Sequence, residues 1–182
     1  MPALALRSPE DALLGAVGPL GLAAAAPGPA LVVDLDPNGP SLPGDGSLAA
    51  LVAEGPRRAD LEPHNRRGFA CLRNGGIVSE DSAEVVEALV GGWPFVVMRV
   101  GPSQPSTISP VELRLLVPGG LFSHDDNPAI YQDGGWRVAA PGPGPVLPKP
   151  RTITLAALLD GVTPPPDRWI RAWRKVWSLP WV

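Results

Sequence analysis

Two aspartates close the run Ala30–Pro40, Ala-Leu-Val-Val-Asp-Leu-Asp-Pro-Asn-Gly-Pro, and no other residues of the chain are as well placed to do chemistry. Side chains alternate along a strand, so Asp34 and Asp36 project to the same side where the apolar run ends. Open α/β sheets gather ligands at that end of their strands, where a carboxylate pair suits proton transfer or the support of a cation. The plain alternative is that a strand must stop, and aspartate is a good turn former. A second polar cluster, Ser123-His124-Asp125-Asp126-Asn127, carries groups able to hold magnesium or calcium. Adjacent residues point in different directions, so a turn with helix-capping capacity is the preferred reading there. Cys71 is the only cysteine, which rules out an internal disulfide, and with only His64 and His124 beside it no zinc site is expected. In Phe69-Ala70-Cys71-Leu72 it reads as a small buried hydrophobe.

The elements that must position these groups alternate as a parallel sheet requires. Ala3–Leu6 reads as a first strand, and Glu10–Ala26 as a helix interrupted by Gly18 and Pro19. After the Asp34/Asp36 strand, Ser47 is an N-cap for a helix over Leu48–Glu54, closed by Gly55-Pro56. Gly68–Leu72 is a third strand leading into Arg73-Asn74-Gly75-Gly76. Ser82 precedes a helix over Ala83–Val90, ended by Gly91-Gly92, and Phe95–Val100 is the next strand. Val111–Val117 is a further strand, stopped by Pro118-Gly119-Gly120. Five arginines, Arg57, Arg58, Arg66, Arg67 and Arg73, fall within residues 57–73, before and just after the third of these strands. They read as a solvated face, with a basic patch for an acidic partner or phosphate, aided by a small Asn-Gly-Gly anion nest, as the sharper alternative.

A length of 182 residues suits one domain with a real core. The net charge of −3 gives no global attraction to nucleic acid, so sequence-independent DNA binding is not expected. Ala12–Ala26 is largely apolar and ends in a run of alanines, but a signal peptide needs a basic start and Arg7 is outweighed by Glu10 and Asp11. No stretch reaches the roughly 18 apolar residues of a spanning helix, and the expectation is a cytoplasmic protein.

The run ALVVDLDPNGP resembles the second-strand motif VLLVDLDPQG of the ParA/MinD family of deviant Walker ATPases. FVVMRVGP at Phe95–Pro102 is similar to the family's Walker B strand, commonly YDYVIIDTPP. The resemblance runs through roughly the first 105 residues. It implies a P-loop-type α/β fold, with the position of Asp36 orienting an attacking water and that of Asp34 near the magnesium shell. Two departures follow. The family's phosphate loop, KGGxGKT, is replaced by Arg7-Ser8-Pro9-Glu10-Asp11-Ala12-Leu13-Leu14, which has neither the glycines that turn N–H groups inward nor a lysine for the phosphates. Arg99 occupies the position of the magnesium-supporting aspartate; at 5 Å and an effective dielectric near 20 it would cost about 3 kcal/mol per unit of cation charge. ATP hydrolysis, and any bound cofactor, are therefore expected to be absent.

The main enzymatic alternative is a likeness to haloacid-dehalogenase-type phosphatases, which also carry DxD after an apolar strand and a later acidic pair, here Asp125 and Asp126. Asp34 would be the nucleophile and Asp36 the general acid. That motif usually continues Gly-Thr, whereas this chain has Pro37-Asn38-Gly39-Pro40, and its only lysines, Lys149 and Lys175, come after the acidic pair.

Ala139–Pro150, AAPGPGPVLPKP, is the clearest boundary: it cannot sustain a helix or a central strand and reads as an extended connector. The expected organisation is an α/β body over residues 1–138, a linker over 139–151 and a tail over 152–182. In the tail, Thr154 is a cap for a helix over Leu155–Asp160, and Asp167 caps a final helix, DRWIRAWRKVWS. Trp169, Trp173, Val176 and Trp177 recur on one stripe, with Arg168, Arg171, Arg174 and Lys175 mainly on the other faces and Trp181 beyond. Each tryptophan can bury roughly 200 Å², worth up to about 5 kcal/mol, so the stripe must dock on its own domain, on a protein partner or on a membrane. MinD-type proteins carry a C-terminal amphipathic membrane-targeting helix, a likeness of position and character. The reading is a non-catalytic ParA/MinD-like pseudo-ATPase of the CpaE-like branch, a scaffold or regulator in a bacterial positioning, division, pilus or secretion system. The resemblance implies a protein partner, either an active ParA/MinD-like ATPase or a secretion or pilus component, with peripheral contact at the inner membrane face.

Overall fold

In chain order the elements of the computed structural model are β1 (Ala3–Arg7), α1 (Ala12–Ala24), β2 (Ala30–Asp34), β3 (Gly46–Ser47), α2 (Leu48–Glu54), α3 (Arg58–Leu61), β4 (Phe69–Arg73), a 3-10 turn (Ser79–Ser82), α4 (Ala83–Gly92), β5 (Phe95–Arg99), β6 (Glu112–Leu116), β7 (Ala129–Gln132), β8 (Val146–Leu147), α5 (Thr152–Leu159) and α6 (Arg168–Val176). The structure describes residues 3–61, 68–102, 112–116, 129–132 and 146–178. The strands form one sheet in the order β3-β4-β2-β5-β1-β6-β7-β8, with parallel ladders throughout. The protein is therefore an α/β fold.

Parallel strands are covered on both faces, which is why the central ones read as continuous apolar runs; all five residues of β2 are buried. Alternation divides them between two cores. Leu4, Leu6, Val32 and Val97 meet α1, α5 and α6 on one face, while Ala5, Leu31, Val33 and Met98 meet α2 and α4 on the other. β1 lies between β5 and β6, so the chain leaves β1 for one half of the sheet and later returns for the other. That reversal places the crevice of the sheet outside the C-terminal ends of β1, β2 and β5.

α1 runs without a break through Gly18 and Pro19, where an interruption is expected from sequence. The proline forfeits one helical hydrogen bond, but Val17, Pro19, Leu20 and Leu22 are buried and hold the helix on the sheet. Its glycines let the backbone approach the indoles of α6: a Cβ on Gly21 would sit 2.4 Å from two ring carbons of Trp169 and 2.8 Å from Nε1 of Trp173. Trp169, Ile170, Trp173 and Val176 are buried in the same core as α1, and Trp177 donates from Nε1 to the Leu22 carbonyl at 2.9 Å. The stripe is thus docked on its own domain. Of the three placements open from sequence for these candidate interaction residues, docking on the chain's own domain is the one seen: Trp169, Trp173 and Val176 are buried, and Trp177 packs half-buried against the same core. Arg168, Arg171, Arg174 and Lys175 face solvent. Trp181 lies outside the described residues.

Thr154 does not cap α5, which begins two residues earlier. It is buried, and its hydroxyl donates to Oδ2 of Asp167, whose Oδ1 accepts from Ile170 N at 2.9 Å as the N-cap of α6. One carboxylate thus ties the two C-terminal helices together. Val146 and Leu147, inside the proline-rich segment, add to the sheet as its edge strand, where prolines are tolerated. No helix among the described residues is long and apolar enough to cross a membrane.

Candidate functional site

Asp34 and Arg99 are register partners on the adjacent strands β2 and β5, and both side chains emerge where those strands end. Arg99 is 3% exposed, Asp34 2% and Asp36 8%, so three charges share one dry site. The guanidinium bridges the carboxylates: Nη1 lies 3.3 Å from Asp34 Oδ2, and Nη2 lies 3.0 Å from Asp36 Oδ2. Nη1 also donates to the Pro40 carbonyl at 2.6 Å. The remaining lone pairs are used locally. Asp36 N donates to Asp34 Oδ1, and Asn38 N and Gly39 N both donate to Asp36 Oδ1, each at 3.1 Å. The turn after β2 is therefore folded over the arginine. Only glycine permits this at position 39, since a Cβ there would lie 1.7 Å from Arg99 Nη2.

Asp34 and Asp36, singled out from sequence, both meet Arg99. What sequence misses is this partner. Arg99 does not stand as a bare cation facing the crevice; its charge is spent on the two aspartates. A charged residue at the end of a buried parallel strand calls for opposite charge nearby, but which strand ends are its neighbours is settled only by the pairing of β2 with β5.

Burial pushes the Asp34 carboxyl up to about 6, against the pull of Arg99 and of the Asp36 amide. Two carboxylates and one guanidinium leave an excess negative charge, so a proton is accepted readily. A folded value above the ordinary 3.8 means that the native state holds the proton more tightly than the unfolded chain. The resulting stability is present in full below about pH 4 and is lost as pH rises through about 6. Holding that proton is worth about 3 kcal/mol. Urea midpoints measured across that window should fall with rising pH in the wild type, and Asp34→Asn should flatten the slope; equal slopes would assign the dependence to other groups.

The start of α1 disfavours phosphate. The β1–α1 connection is Ser8-Pro9-Glu10-Asp11, and Asp11 caps α1, its Oδ1 accepting from Leu14 N at 3.0 Å. A carboxylate stands where a helix N-terminus would otherwise favour a phosphate. Arg99 is tied to Asp34 and Asp36, and no lysine comes before Lys149, so neither supplies a free cation for a phosphate beside the aspartates. The phosphatase reading needs an open Asp34, and this one is enclosed and ion-paired.

Asn74 staples the same corner. Its Nδ2 donates to the carbonyls of Asp34 at 3.2 Å and Ile77 at 3.0 Å, and its Oδ1 accepts from Gly76 N at 2.8 Å. With Gly76 N engaged, Asn74-Gly75-Gly76 is a structural turn rather than an anion nest. Arg57 is exposed and lies 3.6 Å from Glu54 in an i,i+3 pair. His64, Arg66, Arg67, His124, Asp125 and Asp126 lie outside the described residues. Among the described residues, no three His, Cys, Asp or Glu side chains come together as a metal set.

A cavity of about 300 Å³ opens along β4, lined by Phe69, Cys71, Leu89, Trp93, Asp45 and Asp60 among others. Neither Asp34, Asp36 nor Arg99 lines it. β3 pairs only with Leu72 and Arg73, which leaves the start of β4 at the sheet edge beside this cavity. Burial, with the Asp34 charge as a smaller contribution, pushes the Cys71 thiol up to about 12, so it stays protonated and is a poor nucleophile.

No protein-family model matches the chain, and neither a curated protein nor a solved structure matches it at a significant level.

Proposed function

We propose that this protein is a non-catalytic member of the ParA/MinD-like α/β architecture, a pseudo-ATPase that works by binding as a scaffold or regulator. The observation that carries this reading is the closed Arg99–Asp34–Asp36 cluster. The two residues whose family counterparts serve magnesium and water are held by a buried arginine, each carboxylate within 3.3 Å of it. Support also comes from a parallel sheet whose chain reversal falls at β1, and from Asp11 at the start of α1. The processes such a body would serve are those of its proposed relatives: positioning, division, or pilus and secretion assembly in a bacterium. Its partner there would be an active ATPase of the same type or a component of the assembly machine.

Titration with ATP and magnesium by calorimetry tests this. The expected result is no heat of binding from protein shown to be folded by its circular dichroism. Saturable binding would overturn the reading and make Asp36→Ala in a turnover assay the next experiment.

A further inference from the structure

The charges of this chain are sorted by position. The first 145 residues carry nine cationic and sixteen acidic side chains, and the remaining 37 carry six cationic and two acidic. A net of −7 therefore sits against a net of +4 within one fold. On the surface the sorting becomes two stripes. Arg168, Arg171, Arg174 and Lys175 are exposed on α6, at spacings of three to four residues that keep them on the helix's outer side. Glu80 and Asp81 in the 3-10 turn and Glu84 and Glu87 on α4 are likewise exposed. None of these eight forms an ion pair within the described residues. Each stripe runs about 10 Å, from the rise per residue of the two kinds of helix. Four cations and four anions match in number and in length.

The two stripes lie on opposite faces of the sheet, since α6 packs in the core of α1 and α5, and α4 in the core of α2. A residue cannot neutralise a charge across its own molecule. We infer that a second copy of this chain supplies the partner: the basic face of α6 on one molecule docks on the acidic face of α4 and its preceding turn on the next. Exposed apolar side chains are also present, Ile153 and Leu159 on α5, which Thr154 ties to the start of α6, and Val78 just before the 3-10 turn. Because the faces point in opposite directions, one pair of molecules leaves a free basic face at one end and a free acidic face at the other. The contact is heterologous and continues into a chain of molecules instead of closing as a two-fold dimer. This deepens the scaffold reading and rests on it only in making binding the protein's work. The assembly experiment and the nucleotide titration fail independently.

Sedimentation of the full-length protein at high micromolar concentration tests the inference. In about 10 mM salt, where charges act over about 30 Å, the average mass should climb with concentration past that of a dimer. In about 1 M salt, where the range is about 3 Å, it should return to the monomer's 19.0 kDa. Arg171→Glu with Arg174→Glu, or Glu84→Lys with Glu87→Lys, should each leave a folded monomer at low salt, because all four positions are exposed. Mixing the two variants, or placing all four changes in one chain, should restore assembly. A wild type that stays monomeric at low salt overturns the inference, as does assembly that survives either reversal. Cosedimentation of a monomeric wild type with phosphatidylserine vesicles, lost in the α6 variant, would assign the basic face to a lipid surface and overturn it too.

Discussion

Replacing Arg99 with methionine should cost about 3–5 kcal/mol of stability at neutral pH, the penalty for leaving buried charges without their counter-ion. The side chain fits the volume, and what is lost is its bridge to Asp34 and Asp36. Arg99 is the group that draws the Asp34 value downward against burial, so its removal sends that carboxyl further above 6. The deficit should therefore shrink as pH falls from that raised value towards about 6, where the variant's carboxyl takes up its proton before the wild type's does, and stay constant below. Urea denaturation of the variant at neutral and at mildly acid pH reads both effects. Restoring most of the lost stability by adding Asp34→Asn would identify the orphaned carboxylate as the cause. A variant as stable as wild type at neutral pH would mean that the cluster is hydrated and that the crevice is open after all.

Trp173→Ala should be equally costly, about 3–5 kcal/mol, by opening a cavity that its neighbours cannot fill. The ring is fully buried and meets Trp169 edge to face, with centroids 5.6 Å apart and planes at 89°. On its other side is the bare backbone of α1 at Gly18 and Gly21, which has no side chains with which to collapse inward. Arg174→Ala, one residue on and facing solvent, should change stability by no more than about 0.5 kcal/mol. The contrast between adjacent positions is the informative readout in chemical denaturation. Equal and small effects would return the tryptophan stripe to the surface and to a partner.

What sequence made legible follows from how local the signal is. β2 and β5 and the helix over Leu48–Glu54 were readable because apolar runs and an N-cap such as Ser47, which accepts from Ala50 N, are decided within a few residues. α6 was readable for the same reason, from Asp167 and the spacing of its tryptophans. Two-residue strands such as β3 and β8 carry no periodicity, and four-residue β7 too little to separate it from a loop. Pro19 misled because propensity prices the lost hydrogen bond and not the burial that offsets it. The site was half legible. Its carboxylates stand in one motif, while Arg99 is 65 residues from Asp34 and joins it only through the pairing of β2 with β5. The fate of the tail depended on glycines in α1 whose only mark in the sequence is the absence of a side chain.

That dependence has a consequence for the making of the protein. Gly21 and Trp169 are separated by about 150 residues, so at 5–20 residues per second α6 is synthesised roughly 8–30 s after the helix it covers. For that interval the nascent chain carries an alanine- and leucine-rich segment whose glycine face has nothing to lie against. β1 must likewise wait for both of its sheet neighbours, β5 and β6. Closing this core is therefore among the last steps of folding, because the face of α1 that Gly18 and Gly21 leave bare is covered only once α6 has been made.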